Sequence, residues 1–171
     1  EHLSSYDGLP TSTKLKKLSI EKGLPEKLHD FINEMKQQYT VEIIHNQCRP
    51  HFNHEFALSK LRAEGYRIAC CSNSIRMTIE MMMDHSKLKN YLEFIISNQD
   101  VKMPKPSPEI YLKAMEKMGL KPSECLIVED NENGIKAALA SGGHLMTVKD
   151  VNEVNYYNIK KRIIAIEGGV K

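Results

Sequence analysis

Apolar residues recur along this chain at helical spacing in its first third and in short alternating blocks thereafter. Leu15 and Leu18 mark a short amphipathic helix that Gly23 and Pro25 end. Leu28, Phe31, Ile32, Met35, Tyr39 and Ile43 then recur at helical spacing in a longer one, before a connector at 46–54 that Pro50 interrupts. Beyond the connector the rhythm changes. Asn53 is expected to cap a helix carrying Phe56, Leu58 and Leu61 and ending at Gly65, and residues 67–72 read as a strand. Ser74 is expected to cap a helix through Ile75, Ile79 and Met82, followed by a strand at 92–97. Ser107 and Pro108 open a helix carrying Ile110, Leu112, Ala114, Met115 and Met118 as far as Gly119. A strand at 126–129, a helix with apolar Ile135, Ala138 and Leu139, and a strand near 144–148 complete the series. One more helix is expected after Asp150, with Val154, Tyr157 and Ile159 as its contacts.

Strands alternating with helices predict an α/β fold, a doubly wound parallel Rossmann-like sheet covered on both faces. The front helical pair is too short to hold a core of its own and reads as a small lid. The expected division is therefore a partial helical cap at 1–49 and an α/β core at 50–171.

Composition narrows the partners. The 171 residues carry 24 Lys and Arg against 22 Asp and Glu, a net charge of +2. That excess is spread along the chain, so no basic stripe for nucleic acid is present. No apolar run approaches the roughly 18–20 residues that span a bilayer, and Glu1-His2-Leu3-Ser4-Ser5 lacks a signal-peptide layout, so a cytoplasmic protein with no membrane partner is expected. Cys48, Cys70, Cys71 and Cys125 show no Cys-x-x-Cys spacing and read as reduced thiols. His45, His51 and His54 cluster around the connector without metal-ligand spacing and read as solvated or hinge residues, while Met81, Met82 and Met83 fill core and edge of one helix.

Candidate chemistry lies where the strands end. Glu129 and Asp130 emerge from the carboxyl end of an apolar strand, where open α/β sheets bind ligands, and hard carboxylate oxygens suit Mg²⁺. The same pair could instead cap the helix that follows. Ser72 and Asn73 leave another strand end beside a helix N-terminus, a place that favours phosphate, or else serves as an ordinary cap. Lys105 stands between Pro104 and Pro106, which stiffen the backbone around a charge able to neutralise a phosphoryl group. The alternative is a solvated surface lysine.

A hydroxyl loop, a proline-held lysine and an acidic pair, each after its own strand and in that order, resemble the haloacid dehalogenase superfamily of phosphohydrolases. Residues 50–148 resemble its α/β core from the second motif onward, and residues 8–47 its helical cap. Glu129, Asp130, Gly134, Ala137 and Ala138 are similar to the fourth motif of its beta-phosphoglucomutase and sugar-phosphate phosphatase branch. The resemblance implies that Ser72, with Asn73, binds the transferring phosphoryl group, that Lys105 stabilises its charge, and that Asp130 and Glu129 anchor Mg²⁺. It implies Mg²⁺-dependent hydrolysis of a small phosphorylated metabolite such as a sugar phosphate. The alternatives are a phosphomutase, or a non-catalytic phosphate-binding or interaction protein. Residues 8–14 resemble the cap loop that faces the site. Thr11 falls where the mutase carries an arginine for a second phosphate, and Lys14 is a possible substitute; the alternative is that residues 11–13 simply cap the first helix.

The family's first motif, an apolar strand ending in Asp-x-Asp-Gly that supplies the nucleophile, has no counterpart in the sequence. In Ser5-Tyr6-Asp7-Gly8 a serine stands where the nucleophile should be, and Asp7-Gly8-Leu9-Pro10 reads instead as the entry turn of the cap. In family members that strand lies between the counterparts of 67–72 and 125–129. The expectation is therefore a chain about 30 to 45 residues short at its N-terminus, inactive alone and requiring the strand in cis or trans.

Overall fold

The structure, a computed structural model, describes residue 6 and residues 8–169. Asp7 and the segment 1–5, on which the nucleophile lookalike falls, lie outside the described residues.

The front third forms α1 (Thr11–Lys22) and α2 (His29–Gln47), joined through Gly23 in the left-handed conformation (φ 71°) and a short 3₁₀ turn at Glu26–Leu28. The α/β part follows as α3 (Phe52–Ala63), β1 (Ala69–Cys71), α4 (Arg76–His85), β2 (Phe94–Ile96), α5 (Glu109–Met118), β3 (Leu126–Glu129), α6 (Glu132–Ser141), β4 (His144–Thr147) and α7 (Tyr156–Glu167). All pairing is parallel, as crossover helices require.

The strands form two separate pairs. β1 pairs with β2, Cys70 opposite Ile95, and β3 pairs with β4, Ile127 opposite Leu145. No ladder joins β1 to β3 among the described residues. What holds the pairs together is one apolar cluster running through Ile96, Ile110, Tyr111, Ala114, Met115, Ile127, Ala137 and Ala138. α5 packs on β1, α6 packs on β3, and the two helices pack on each other across the gap.

Several local expectations shift. The strands at 67–72 and 92–97 shorten to three residues each. α4 begins at Arg76, with Ile75 in the N-cap position and the Arg76 N–H taken by the Gln99 side chain at 2.8 Å, so Ser74 does not cap it. α3 begins at Phe52, so Asn53 lies inside it rather than at its cap. Ser107 does accept from the Glu109 N–H, at 3.3 Å.

Exposure corrects the apolar contacts. α6 buries a stripe of small residues, Gly134, Ala137, Ala138 and Ser141, which turns Leu139 outward at 63 % exposure. Tyr157 likewise faces out of α7, whose buried contact is Ile159. In the front pair only Leu15 and Ile44 are buried, and Phe31, Tyr39 and Ile43 are more than half exposed, since two helices alone share a single seam. Among the described residues no helix is long and apolar enough to cross a membrane.

Candidate active site

β3 delivers its carboxylates as its sequence suggests, but the helix behind them is capped by another residue. The Asn131 side chain accepts from the Gly134 N–H at 3.0 Å and serves as the N-cap of α6. Glu129 and Asp130 are thereby released from capping. Glu129, the last residue of the strand, turns inward and is buried, whereas Asp130 is exposed at the strand end.

Glu129 is the hub of a buried network. Its Oε1 pairs with the Lys105 ammonium and accepts from the Tyr111 hydroxyl. The same ammonium donates to the Cys71 carbonyl at 3.0 Å and stands 4.8 Å from the Tyr111 ring centroid. Lys105 therefore reaches from β1 to β3 and joins two strand ends that share no ladder. It is 7 % exposed, so the reading of a solvated surface lysine is set aside. Burial, followed by the charge of Glu129, holds the Tyr111 phenol protonated well above its ordinary range. Burial likewise pushes the neighbouring Cys71 thiol up to about 12, which removes it as a nucleophile at neutral pH.

Ser72 and Asn73 behave differently from one another. The Ser72 hydroxyl accepts from the Ser74 N–H and keeps its own hydrogen for another acceptor. The Asn73 amide, expected to face phosphate, is committed instead: Nδ2 donates to the carbonyls of Gly8 (2.8 Å) and Lys105 (3.0 Å), and Oδ1 accepts from the Lys105 N–H (3.0 Å). The adjoining helix start is also partly used, since the Arg76 N–H donates to Gln99 at 2.8 Å.

Asp100 fixes the turn after β2 that leads toward Lys105. Its Oδ2 accepts from the Ser97 N–H (2.7 Å), the Ser97 hydroxyl (2.6 Å) and Arg76 (2.7 Å). Burial opposes ionisation, but these bonds outweigh it and hold the carboxyl at about 2. A lowered folded-state value means stability present above the unfolded value near 4 and lost as pH falls through about 2. With its partner Arg76 41 % exposed, the contribution is discounted to about 1 kcal/mol. Urea denaturation between pH 6 and 2 is expected to show that loss in the parent chain and not in Asp100→Asn.

These groups meet under the helical pair. Ser72, Asn73, Lys105, Glu129 and Asp130 line one cavity of about 780 Å³ at the strand ends, and Thr11, Lys14 and Lys36 line it from α1 and α2. All seven candidate site residues named from the sequence, Thr11, Lys14, Ser72, Asn73, Lys105, Glu129 and Asp130, thus line one cavity. Sequence reasoning missed Tyr111, Asn131 and Lys36. Tyr111 follows Ile110 in an apolar stretch and reads there as core, Asn131 follows the acidic pair in a position that invites a cap, and Lys36 carries no local signal. Burial and the charge of Lys14 lower the Lys36 pKa, and neither ammonium has an ion-pair partner among the described residues.

Residues 1–148 match the haloacid dehalogenase-like hydrolase family. The chain belongs to that family. A curated relative, the pyrophosphatase PpaX of Bacillus mycoides, is 28 % identical over 150 residues, covering 80 % of this chain and 69 % of the relative. A haloacid dehalogenase-like hydrolase domain-containing protein of Arabidopsis thaliana is 30 % identical over 141 residues, covering 80 % of this chain but only 44 % of that protein. The chain therefore spans part of the length of the curated relatives it matches. Beta-phosphoglucomutase from Clostridium difficile shares the fold with a TM-score of 0.79 at 21 % identity, over 98 % of this chain and 82 % of that one.

The donor set of this haloacid dehalogenase-like site suits a hard divalent cation. Asp130 is an exposed carboxylate on the cavity, and Glu129 has Oε1 committed to Lys105 and Tyr111. No group of three or more His, Cys, Asp or Glu side chains converges on a common point among the described residues. Asp130 is the carboxylate open to such a cation, with Glu129 behind it.

Proposed function

We propose that this chain forms the greater part of a cytoplasmic, Mg²⁺-dependent phosphohydrolase acting on small phosphorylated metabolites. The observation that carries this reading is the meeting of Ser72 and Asp130, from the ends of β1 and β3, with Lys105, from the loop after β2, at one roofed cavity. Ser72 donates its hydroxyl hydrogen to a phosphoryl oxygen. Lys105 has three N–H donors, two of which go to Cys71 and Glu129, so one remains for the phosphoryl group. Mg²⁺ held by Asp130 supplies further neutralisation of phosphoryl charge. Glu129 and Tyr111 hold the lysine rather than touch substrate.

The cavity roof reads the rest of the substrate. Lys14 and Lys36 favour an anionic or strongly polar leaving part, and Thr11 offers a hydroxyl. The attacking carboxylate comes, on this reading, from a parallel strand seated between β1 and β3, in cis or in trans. The absence of a ladder between those strands among the described residues supports that placement.

Two measurements test the proposal. Reading the gene upstream of Glu1 checks the strand: an apolar run ending in Asp-x-Asp-Gly supports it, and a start codon directly before Glu1 overturns a strand in cis. Phosphate release from a panel of phosphorylated metabolites, by the chain together with that strand, is expected to require Mg²⁺. Asp130→Ala is expected to lower it by at least about 100-fold, the order set by loss of a principal electrostatic stabiliser. Turnover unchanged by Asp130→Ala would overturn the assignment.

A further inference from the structure

We propose that Asn73 is a positioning residue that couples the seating of the helical pair to the placement of Lys105. Three bonds from one amide carry the inference. Nδ2 holds the Gly8 carbonyl, at the entry to α1, and also the Lys105 carbonyl, while Oδ1 holds the Lys105 N–H. Both amide hydrogens and the amide oxygen are occupied, so any movement of Gly8 leaves an Asn73 hydrogen without its acceptor. That hydrogen must rebond, and the same amide grips the Lys105 peptide on both of its polar groups.

Gly8 is itself closely held. Its φ is +69°, and a β-carbon there would stand 2.5 Å from Asn131 Oδ1. Asparagines from the ends of β1 and β3 therefore close around one glycine. Asn131 contributes contact with Gly8 but has no bond to Lys105, whereas Asn73 contacts both. A second tether, from Thr78 to Gln37 at 3.3 Å, joins α4 to α2.

The consequence is reciprocal, as any coupling between two sites must be. Seating the loop over the cavity steadies the Lys105 backbone, and a ligand that draws on the Lys105 ammonium steadies the loop. This packing relation holds whether or not the chain hydrolyses phosphate, so failure of the proposed reaction leaves it standing.

Amide hydrogen exchange of the whole chain tests it, read by NMR at three places. The Lys14 N–H, bonded to the Pro10 carbonyl, reports the entry to α1; the Lys105 and Ser107 N–H groups report the lysine loop; Leu145 and Met146 in β4 report the core. Gly8→Ala, which lifts the loop without touching any atom of Lys105, is expected to raise exchange about tenfold or more at both Lys14 and Ser107, with β4 unchanged. In an Asn73→Ala background, where the lysine loop is already released, Gly8→Ala is expected to add nothing at Ser107. A rise at Lys14 alone overturns the coupling, as does a rise that includes β4, which means general loosening. Exchange at Ser107 that responds to Gly8→Ala equally with and without Asn73 also overturns it.

Discussion

Glu129→Ala is expected to cost about 3–5 kcal/mol of stability, the range for breaking a buried ion pair by removing one partner. The side chains of Lys105 and Glu129 are 8 % and 6 % exposed, so little water reaches either charge. Without the carboxylate the ammonium keeps the Cys71 carbonyl as its acceptor and the face of the Tyr111 ring, but no opposite charge, and the Tyr111 hydroxyl loses its acceptor in the same step. The loss is structural as well as electrostatic, because this pair is the polar link between the ends of β1 and β3. Glu129→Gln keeps the shape and an acceptor for Tyr111 but leaves the positive charge uncompensated, so its loss falls below that of alanine. Lys105→Met added to Glu129→Ala removes the stranded charge and is expected to recover part of the loss, giving non-additive energies. Urea denaturation of the parent, the two Glu129 variants, Lys105→Met alone and the double variant measures this directly. A loss under about 1 kcal/mol for Glu129→Ala would show that water reaches the pair.

The reason for so large an effect also explains which parts of the molecule were legible beforehand. Element type and order follow from spacing that physics makes unambiguous: β3 at 126–129 matches to the residue, and Gly23 and Gly119 end their helices in the left-handed conformation. The shared cavity was legible because strand end and residue type coincide at Ser72 and Asp130, and because two prolines hold Lys105 in the loop after β2. What escaped depends on long-range partners. Tyr111 looks apolar in its own segment, and only its meeting with Glu129 eighteen positions away makes its hydroxyl part of the site. Asn73 carries a phosphate-loop signature, yet its amide is taken by carbonyls 65 and 32 positions away. The start of α4 escaped for the same reason, since Gln99, 23 positions away, takes the Arg76 N–H and Ser74 is left outside the helix. The outward turn of Leu139 was hidden because alanines and glycines, not large residues, form the buried stripe of α6.

That stripe yields the second large effect, Gly134→Ala, whose sign separates local preference from tertiary fit. In an exposed helix, alanine in place of glycine stabilises by about 1 kcal/mol. Gly134 sits in the first turn of α6 with an ordinary helical φ, so the backbone itself raises no objection. Space does. A β-carbon at this position would overlap both oxygens and the carboxyl carbon of Glu129. The obstacle is no flexible chain end, because that carboxylate is pinned by Lys105 and Tyr111 and by the strand beneath it. Either α6 retreats from β3, opening the packing of Ala137 and Ala138, or Glu129 swings off Lys105 and strands the ammonium. Overpacking of a dense core costs about 1–3 kcal/mol, and partial loss of the ion pair adds to it. Gly134→Ala is therefore expected to destabilise the chain by at least about 2 kcal/mol in urea denaturation. Gly134→Ala combined with Glu129→Ala, in which the obstructing carboxylate is gone, is expected to be no less stable than Glu129→Ala alone. A stabilising Gly134→Ala would mean that the helix, not the carboxylate, sets the geometry of this strand end.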